Sequence, residues 1–197
     1  MQFLSLSGGA IGGIVAGAVA LLLIIIAIWY ITTKNKLVSL RNDTEEAFST
    51  MDVHMKKRYD LIPNLVETCK GYTKHEGETL SRVTAARNAC IASTGNDRVA
   101  AERELGMSLH TLLNSVRENY PELKADRQFM NLANQLEQIE HEIAQSRKFY
   151  NAVIKKFNTK IEQFPSSIVA GRMKLERKLY FELDDVSERV APRVSFQ

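Results

Sequence analysis

The sequence predicts an all-α membrane protein: a single N-terminal transmembrane helix, then an elongated antiparallel bundle of long helices with a C-terminal helix and tail. Two observations lead to this fold class. Residues 11–31 form an almost unbroken apolar run, and the first 33 residues contain no Asp, Glu, Lys, Arg or His. Beyond the run, only four prolines occur and apolar residues recur every three or four positions, which is the spacing of one face of a helix.

The apolar run is predicted to be a membrane anchor. As a helix, residues 11–31 would span roughly 30 Å, the hydrocarbon thickness of a bilayer. Trp29 and Tyr30 stand where interfacial aromatic residues belong, and Lys34 and Lys36 follow directly. No Lys or Arg precedes the run, so the positive-inside rule places the N-terminus outside and the bulk of the chain in the cytoplasm. An external position for the bulk is the alternative.

Small residues in the first half of the anchor predict self-association. Gly9, Gly13 and Gly17 fall four residues apart and would form a flat strip along one side of the helix. Helices in lipid associate where small side chains allow their backbones to approach closely. The alternative interpretation is that glycine is simply common in membrane helices.

The remaining chain divides into residues 32–164, predicted as one helical bundle domain, and residues 165–197, predicted as a helix and tail. Its charges are well mixed, 26 basic and 23 acidic with a net charge of +3, which argues against a dedicated nucleic-acid binder. Cys69 and Cys90 fall in apolar helical stripes and are predicted to be buried thiols.

The apolar periodicity predicts where these helices lie. Pro63 lies inside the first of them and predicts a kink near Asp60, because an interior proline removes one backbone hydrogen bond. No glycine or proline interrupts the fourth, which ends before Pro165. The helices are predicted at residues 37–72 (continuing the anchor), 80–94, 97–116, 122–164 and 168–190.

Motifs that would indicate catalysis are not found in the sequence. His75 and His141 are each followed by glutamate, as in a zinc-protease helix, but the second histidine one turn later is missing. Phosphate-binding loops and dinucleotide fingerprints are absent as well. The sequence therefore predicts a protein without enzymatic activity, cofactor or metal.

The stretch 56–72 interleaves charged and apolar residues more densely than the rest of the chain. One interpretation makes it a docking face for a partner. A second interpretation has Arg58, Asp60 and Glu67 pairing with neighbouring helices around Pro63. The candidate docking residues are Lys57, Arg58, Asp60, Asn64 and Glu67.

Three motifs along the chain resemble, in their sequence and their order, those of the LemA family of bacterial membrane proteins. The stretch 56–72 with His75-Glu76 carries the first, and Glu118-Asn119-Tyr120-Pro121 begins the second. Tyr150-Asn151 and residues 157–165 carry the third, whereas Gly171-Arg172-Met173 departs from the family's frequent Gly-Phe. The resemblance implies an N-terminal membrane helix and a helical bundle, without an established activity or cofactor.

These observations predict a non-enzymatic single-pass scaffold in the inner membrane, which forms a homo-oligomer and organises the cell envelope or recruits partners. Its predicted partners are the lipid bilayer, further copies of the chain, and other membrane proteins such as proteases. The alternative is an adaptor or modulator of a membrane protease or other membrane enzyme. An enzyme would need a polar pocket inside the bundle.

Overall fold

The computed structural model describes residues 8–71 and 77–182, with side chains from residue 12 onward except that of Asn96. No strand occurs in these ranges, which confirms the all-α prediction. The helices are α1 (Gly8–Lys70), α2 (Gly77–Ala92), α3 (Gly95–Asn119), α4 (Pro121–Ala125), α5 (Arg127–Glu162) and α6 (Ser166–Arg172). The chain divides into an anchor unit, residues 1–46 and 152–179, and a bundle unit, residues 47–151 and 180–197.

Helix α1 is continuous from the apolar run into the rest of the chain, as predicted. It includes Pro63 and ends at Lys70. The predicted kink near Asp60 stays a prediction. Residues 12–28 and Ile31 are exposed, whereas later positions on α1 alternate between buried and exposed. A helix that is apolar on every side and exposed on every side requires a non-aqueous environment.

In the bundle unit, α1, α2, α3 and α5 pack around one apolar core. The predicted stripes form it, and Met51, Met55, Leu65, Leu105 and Leu112 are fully buried in it. Burying one such side chain is worth about 1.5–3 kcal/mol. The two cysteines lie in the same core, as predicted, and burial raises the pKa of the Cys69 thiol to about 11.

Side-chain pairs within the bundle unit show that α1 and α5 run antiparallel. The rings of Phe48 and Tyr150 lie 5.8 Å apart between centroids. His54 Nδ1 lies 2.8 Å from Glu142 Oε2, and Arg58 Nη1 donates to Glu140 Oε1 at 2.6 Å. Positions rise along α1 as they fall along α5, so the predicted antiparallel packing is confirmed here.

The predicted single helix over residues 122–164 is wrong in one respect, because Asp126 divides it into α4 and α5. Asp126 has an extended backbone (ψ 129°), and its Oδ1 accepts a hydrogen bond from the Phe129 N–H at 2.9 Å. This is the N-cap arrangement, in which an Asp side chain satisfies a free N–H of the first helical turn.

The predicted helix over residues 168–190 is also much shorter than expected. Helix α6 ends at Arg172, and residues 175–182 have no regular secondary structure. In the anchor unit, Asn158 Nδ2 donates to the Lys178 carbonyl and its Oδ1 accepts from the Lys178 N–H, both at 2.9 Å. Asn151 holds Phe181 in the same way in the bundle unit, at 3.1 and 2.9 Å. These amides occupy backbone groups that a helix would need; residues 183–197, with the predicted tail, lie outside the described part.

Candidate functional site

The first functional feature is the exposed apolar segment of α1. It is long and apolar enough to cross a membrane, and none of its most apolar stretch is buried inside the protein. A core helix of similar length would instead have one face covered by neighbouring elements. The predicted membrane helix therefore has the required length, composition and exposure.

The glycine strip on this segment is open. A Cβ atom built at Gly12, Gly13 or Gly17 would meet no other atom within 4 Å. Gly9 lies in α1 as well, in the part whose side chains are not described. Packing among the described residues therefore gives no reason for small residues at Gly12, Gly13 and Gly17.

The end of the apolar segment and the residues that follow it pack against α5 and α6. Trp29 and Tyr30 are partly buried, and they pack against a cluster of six buried apolar residues in the anchor unit. Lys34 and Lys36 are exposed. The predicted interfacial aromatics thus border a small core, and their position at a membrane surface stays a prediction. The cluster consists of Leu37, Leu40, Phe157, Ile161, Val169 and Ala170.

Charged side chains are buried at the centre of the bundle unit. The side chain of Arg58 is only 3% exposed, and its guanidinium contacts the carboxylates of Glu102 on α3 and Glu140 on α5. The Tyr59 hydroxyl donates a hydrogen bond to the same Glu102 carboxylate. The ion-pair cluster of buried Arg58, Tyr59 and Glu102 with the partly exposed Glu140 therefore links α1, α3 and α5.

Burial and charge act in opposite directions on these groups. Burial would lower the pKa of Arg58, but Glu140 and Glu102 outweigh it and the pKa is raised, so the guanidinium stays charged. Burial raises the pKa of Glu102 to about 7, even though Arg58 favours the ionised form. The cluster therefore changes its protonation near neutral pH.

A hollow of about 340 Å³ lies beside this cluster in the bundle unit. Burial alone would raise the pKa of its carboxyl Asp52, but Lys56 and Arg98 outweigh burial and hold it below the usual range. Burial raises the pKa of the Cys90 thiol, which keeps it protonated and a poor nucleophile. In this hollow Asp52 is thus occupied by ion pairs with Lys56 and Arg98, and Cys90 is a poor nucleophile. Its lining residues are Asp52, Lys56, Tyr59, Asp60, Cys90, Ile91 and Arg98.

The candidate docking face is only partly exposed. Arg58 does not belong to it, since this side chain points into the bundle, as the structural interpretation expected. Lys57, Asp60, Asn64 and Glu67 are exposed. Glu67 pairs with Lys70 on the same helix at 3.1 Å and not with a neighbouring helix. With steps of three and four residues, the four exposed residues lie along one side of α1.

The two histidines weighed as zinc ligands differ in what can be said of them. His141 lies 2.7 Å from the Gln145 side chain, and His75 lies outside the described residues. Within residues 8–71 and 77–182, no three His, Cys, Asp or Glu side chains are placed to hold a metal ion together.

Comparison with known proteins decides the family. The LemA family model matches residues 47–196. The chain belongs to the LemA family. A relative, Protein LemA of Metamycoplasma hominis, is 28% identical over 165 residues, which cover 82% of this chain and 74% of the relative. The resemblance seen in the motifs is thereby confirmed, and the LemA match begins after the apolar segment.

Some important residues of this LemA family member were not found from its sequence. Glu102 carries a signal that could have been used, because it occupies an apolar stripe with Leu105, Leu109 and Leu112. A carboxylate in such a stripe requires a buried partner. Asn158 gives no comparable signal, since its partner is a backbone group twenty residues away.

Proposed function

We propose that this LemA family protein is a non-enzymatic single-pass membrane scaffold that self-associates and organises the cell envelope or recruits partners. The observation that carries the proposal is the construction of α1. This one helix bears the exposed apolar segment with its open glycine strip, and it also contributes Leu37 to the anchor-unit core and Met51 to the bundle-unit core. A single element thus joins the membrane segment to the folded part.

In this proposal the N-terminus lies outside the inner membrane and the bundle lies in the cytoplasm. Lys34 and Lys36 support this orientation, since they are exposed just after the apolar segment and no Lys or Arg precedes it. Fusion of a fluorescent protein to the C-terminus should give fluorescent cells, and fusion of alkaline phosphatase there should give an inactive enzyme. The reverse pattern would place the bundle outside.

The Gly13→Leu variant is expected to assemble into smaller particles than the wild type. The new side chain would fold without a clash, because a Cβ at Gly13 meets nothing within 4 Å, but it would keep two helices apart. Mass photometry of the full chain in nanodiscs or detergent measures the particle size. Ala18→Leu is the matched control, because at 100° per residue it lies on the opposite side of the same helix and should leave the size unchanged.

Two results would contradict self-association through this strip. One is a wild-type protein that stays monomeric at every concentration. The other is a Gly13→Leu particle as large as that of Ala18→Leu.

The adaptor role is a second candidate, favoured by the exposed polar side of α1 formed by Lys57, Asp60, Asn64 and Glu67. A photo-reactive amino acid at Lys57 or Glu67 should then capture a membrane enzyme in living cells. The same probe at Met130, an exposed position on α5, is the control. Recovery of nothing but further copies of the chain from Lys57 and Glu67 would argue against an adaptor and leave the scaffold role.

A further inference from the structure

Two large apolar side chains are exposed at the turn between α5 and α6. Phe164 is 78% exposed and Ile168 is 55% exposed. The turn itself is fixed, because Ser166 Oγ donates to the carbonyl oxygens of Lys160 and Gln163 at 2.7 and 2.8 Å. The opposite face of α6 is buried, through Val169 and the following alanine. Phe164 and Ile168 are thus kept in exposed positions by the packing of the buried face of α6.

This turn lies on the side of the anchor unit that faces the membrane segment. At the far side, Lys178 joins the two long helices: its Nζ donates to Thr44 Oγ1 on α1 at 2.7 Å, and its backbone is held by Asn158 on α5. At the near side, the cluster that α6 completes is bordered by Trp29 and Tyr30. From Asn158, at the level of Thr44, the six residues to Phe164 cover about 9 Å toward the membrane segment, which corresponds to the level of Val38 on the antiparallel α1.

The charges around the turn are mainly positive. Lys34, Lys36, Arg172 and Lys174 are all exposed. Residues 152–179 contain seven basic and two acidic residues, and one of the acidic residues, Glu162, already pairs with Arg177 at 3.0 Å. Apolar side chains surrounded by basic residues are typical of surfaces that bind anionic lipid at the membrane interface.

We propose that Phe164 and Ile168 insert into the bilayer interface beside the anchor, while the surrounding basic residues bind the headgroups of anionic phospholipids. Helix α6, which follows the turn, contributes to the cluster that Trp29 and Tyr30 border at the end of the apolar run, and the positive charge around the turn is complementary to these lipids. The inference rests on the proposed anchoring through residues 11–31. It adds a second, independent contact with the same membrane.

Tryptophan fluorescence tests the inference on the full chain. Trp29 is the single tryptophan, so the wild type reports on the anchor itself. A Trp29→Phe/Phe164→Trp variant reports on the turn, in vesicles of brominated phosphatidylcholine with or without phosphatidylglycerol. The bromine atoms should quench the introduced tryptophan at least about half as strongly as Trp29, and more strongly when phosphatidylglycerol is present.

The control places the introduced tryptophan elsewhere on α5. Phe149 is 59% exposed and lies fifteen residues before Phe164, about 22 Å along the chain. In a Trp29→Phe/Phe149→Trp variant, brominated lipid should leave the fluorescence unchanged. In an Arg172→Gln/Lys174→Gln version of the Phe164 reporter, the effect of phosphatidylglycerol should fall by about half or more.

The outcomes separate the two claims. If brominated lipid fails to quench Trp29 in the wild type, both the anchoring and the present inference are overturned. If Trp29 is quenched and the tryptophan at the Phe164 position is not, the inference alone is overturned. Blue-shifted emission from that position that depends on protein concentration would assign the turn to a second copy of the chain. An unchanged phosphatidylglycerol effect in the Arg172→Gln/Lys174→Gln variant would overturn the headgroup contact.

Discussion

Replacing Arg58 with methionine is expected to lower the free energy of unfolding by about 3–5 kcal/mol at pH 8. The guanidinium is the cation that the carboxylates of Glu102 and Glu140 contact, and Glu102 is only 2% exposed. Without Arg58, an ionised Glu102 would remain buried with less compensation for its charge. Chemical denaturation of the full chain in detergent, followed by circular dichroism, measures the change.

The loss should be smaller at pH 5 than at pH 8. Burial raises the pKa of Glu102 to about 7 in the folded protein, against an ordinary value of 4.5, so the folded state keeps this proton over a range in which the unfolded chain has released it. The contribution of this group to stability is therefore complete below pH 4.5 and is lost as the pH rises toward 7. In the variant, a protonated Glu102 at pH 5 carries no charge and needs no cation.

Two further variants test the explanation. An Arg58→Met/Glu102→Leu double variant should regain part of the lost stability, because it removes the unpaired carboxylate together with its partner. Arg82→Met is the control, since the Arg82–Glu104 pair is exposed and its loss should change stability little at either pH. A loss for Arg58→Met that is equal at pH 5 and pH 8 would contradict the role given to Glu102.

Replacing Phe157 with alanine should cost about 3–5 kcal/mol in the anchor unit. Phe157 is 1% exposed, and it is the largest member of a cluster with only five other buried residues. Because the cluster is so small, its remaining residues would not hold α6 against α1. Hydrogen exchange followed by mass spectrometry should show much faster exchange in α6 and in the segment that follows it.

The control for this prediction is Phe149→Ala on the same helix. Phe149 is 59% exposed, so its truncation leaves no cavity and should alter exchange in α6 little. Slow exchange in α6 of the Phe157→Ala protein would show that the cluster does not depend on this ring.

Long-range apolar periodicity predicted the parts of the fold that depend on burial. The continuity of α1, the order of the helices and the buried positions of Cys69 and Cys90 all follow from stripes that must face a core. The positions where helices end depend on single polar contacts, which apolar periodicity does not detect. Asp126 ends one helix and caps the next, and Asn158 holds the chain after α6 through hydrogen bonds to the backbone of Lys178, far away in sequence.

The candidate site likewise has features that follow from the local sequence and features that depend on tertiary contacts. The local sequence pattern alone identified the apolar segment and its small residues, because both are visible in one stretch of consecutive residues. Whether Arg58 faces a partner or the bundle interior depends on which residues of α3 and α5 lie opposite, and this is set by the tertiary packing. The exposure of Phe164 is likewise a property of the turn and of how α6 packs, since an apolar residue before Pro165 would suit a buried position equally well.

The long α1 helix has a consequence for how the protein is made. A ribosome completes α1 at Lys70 but completes α5, its antiparallel neighbour in the bundle unit, only at Glu162, 92 residues later. At typical rates of synthesis this interval lasts about 5–20 s. Throughout it the apolar side of α1, including Met51, Met55 and Leu65, has only α2 and α3 available to cover it. The nascent chain must therefore pass through a stage in which the part of its core that α5 supplies is still missing.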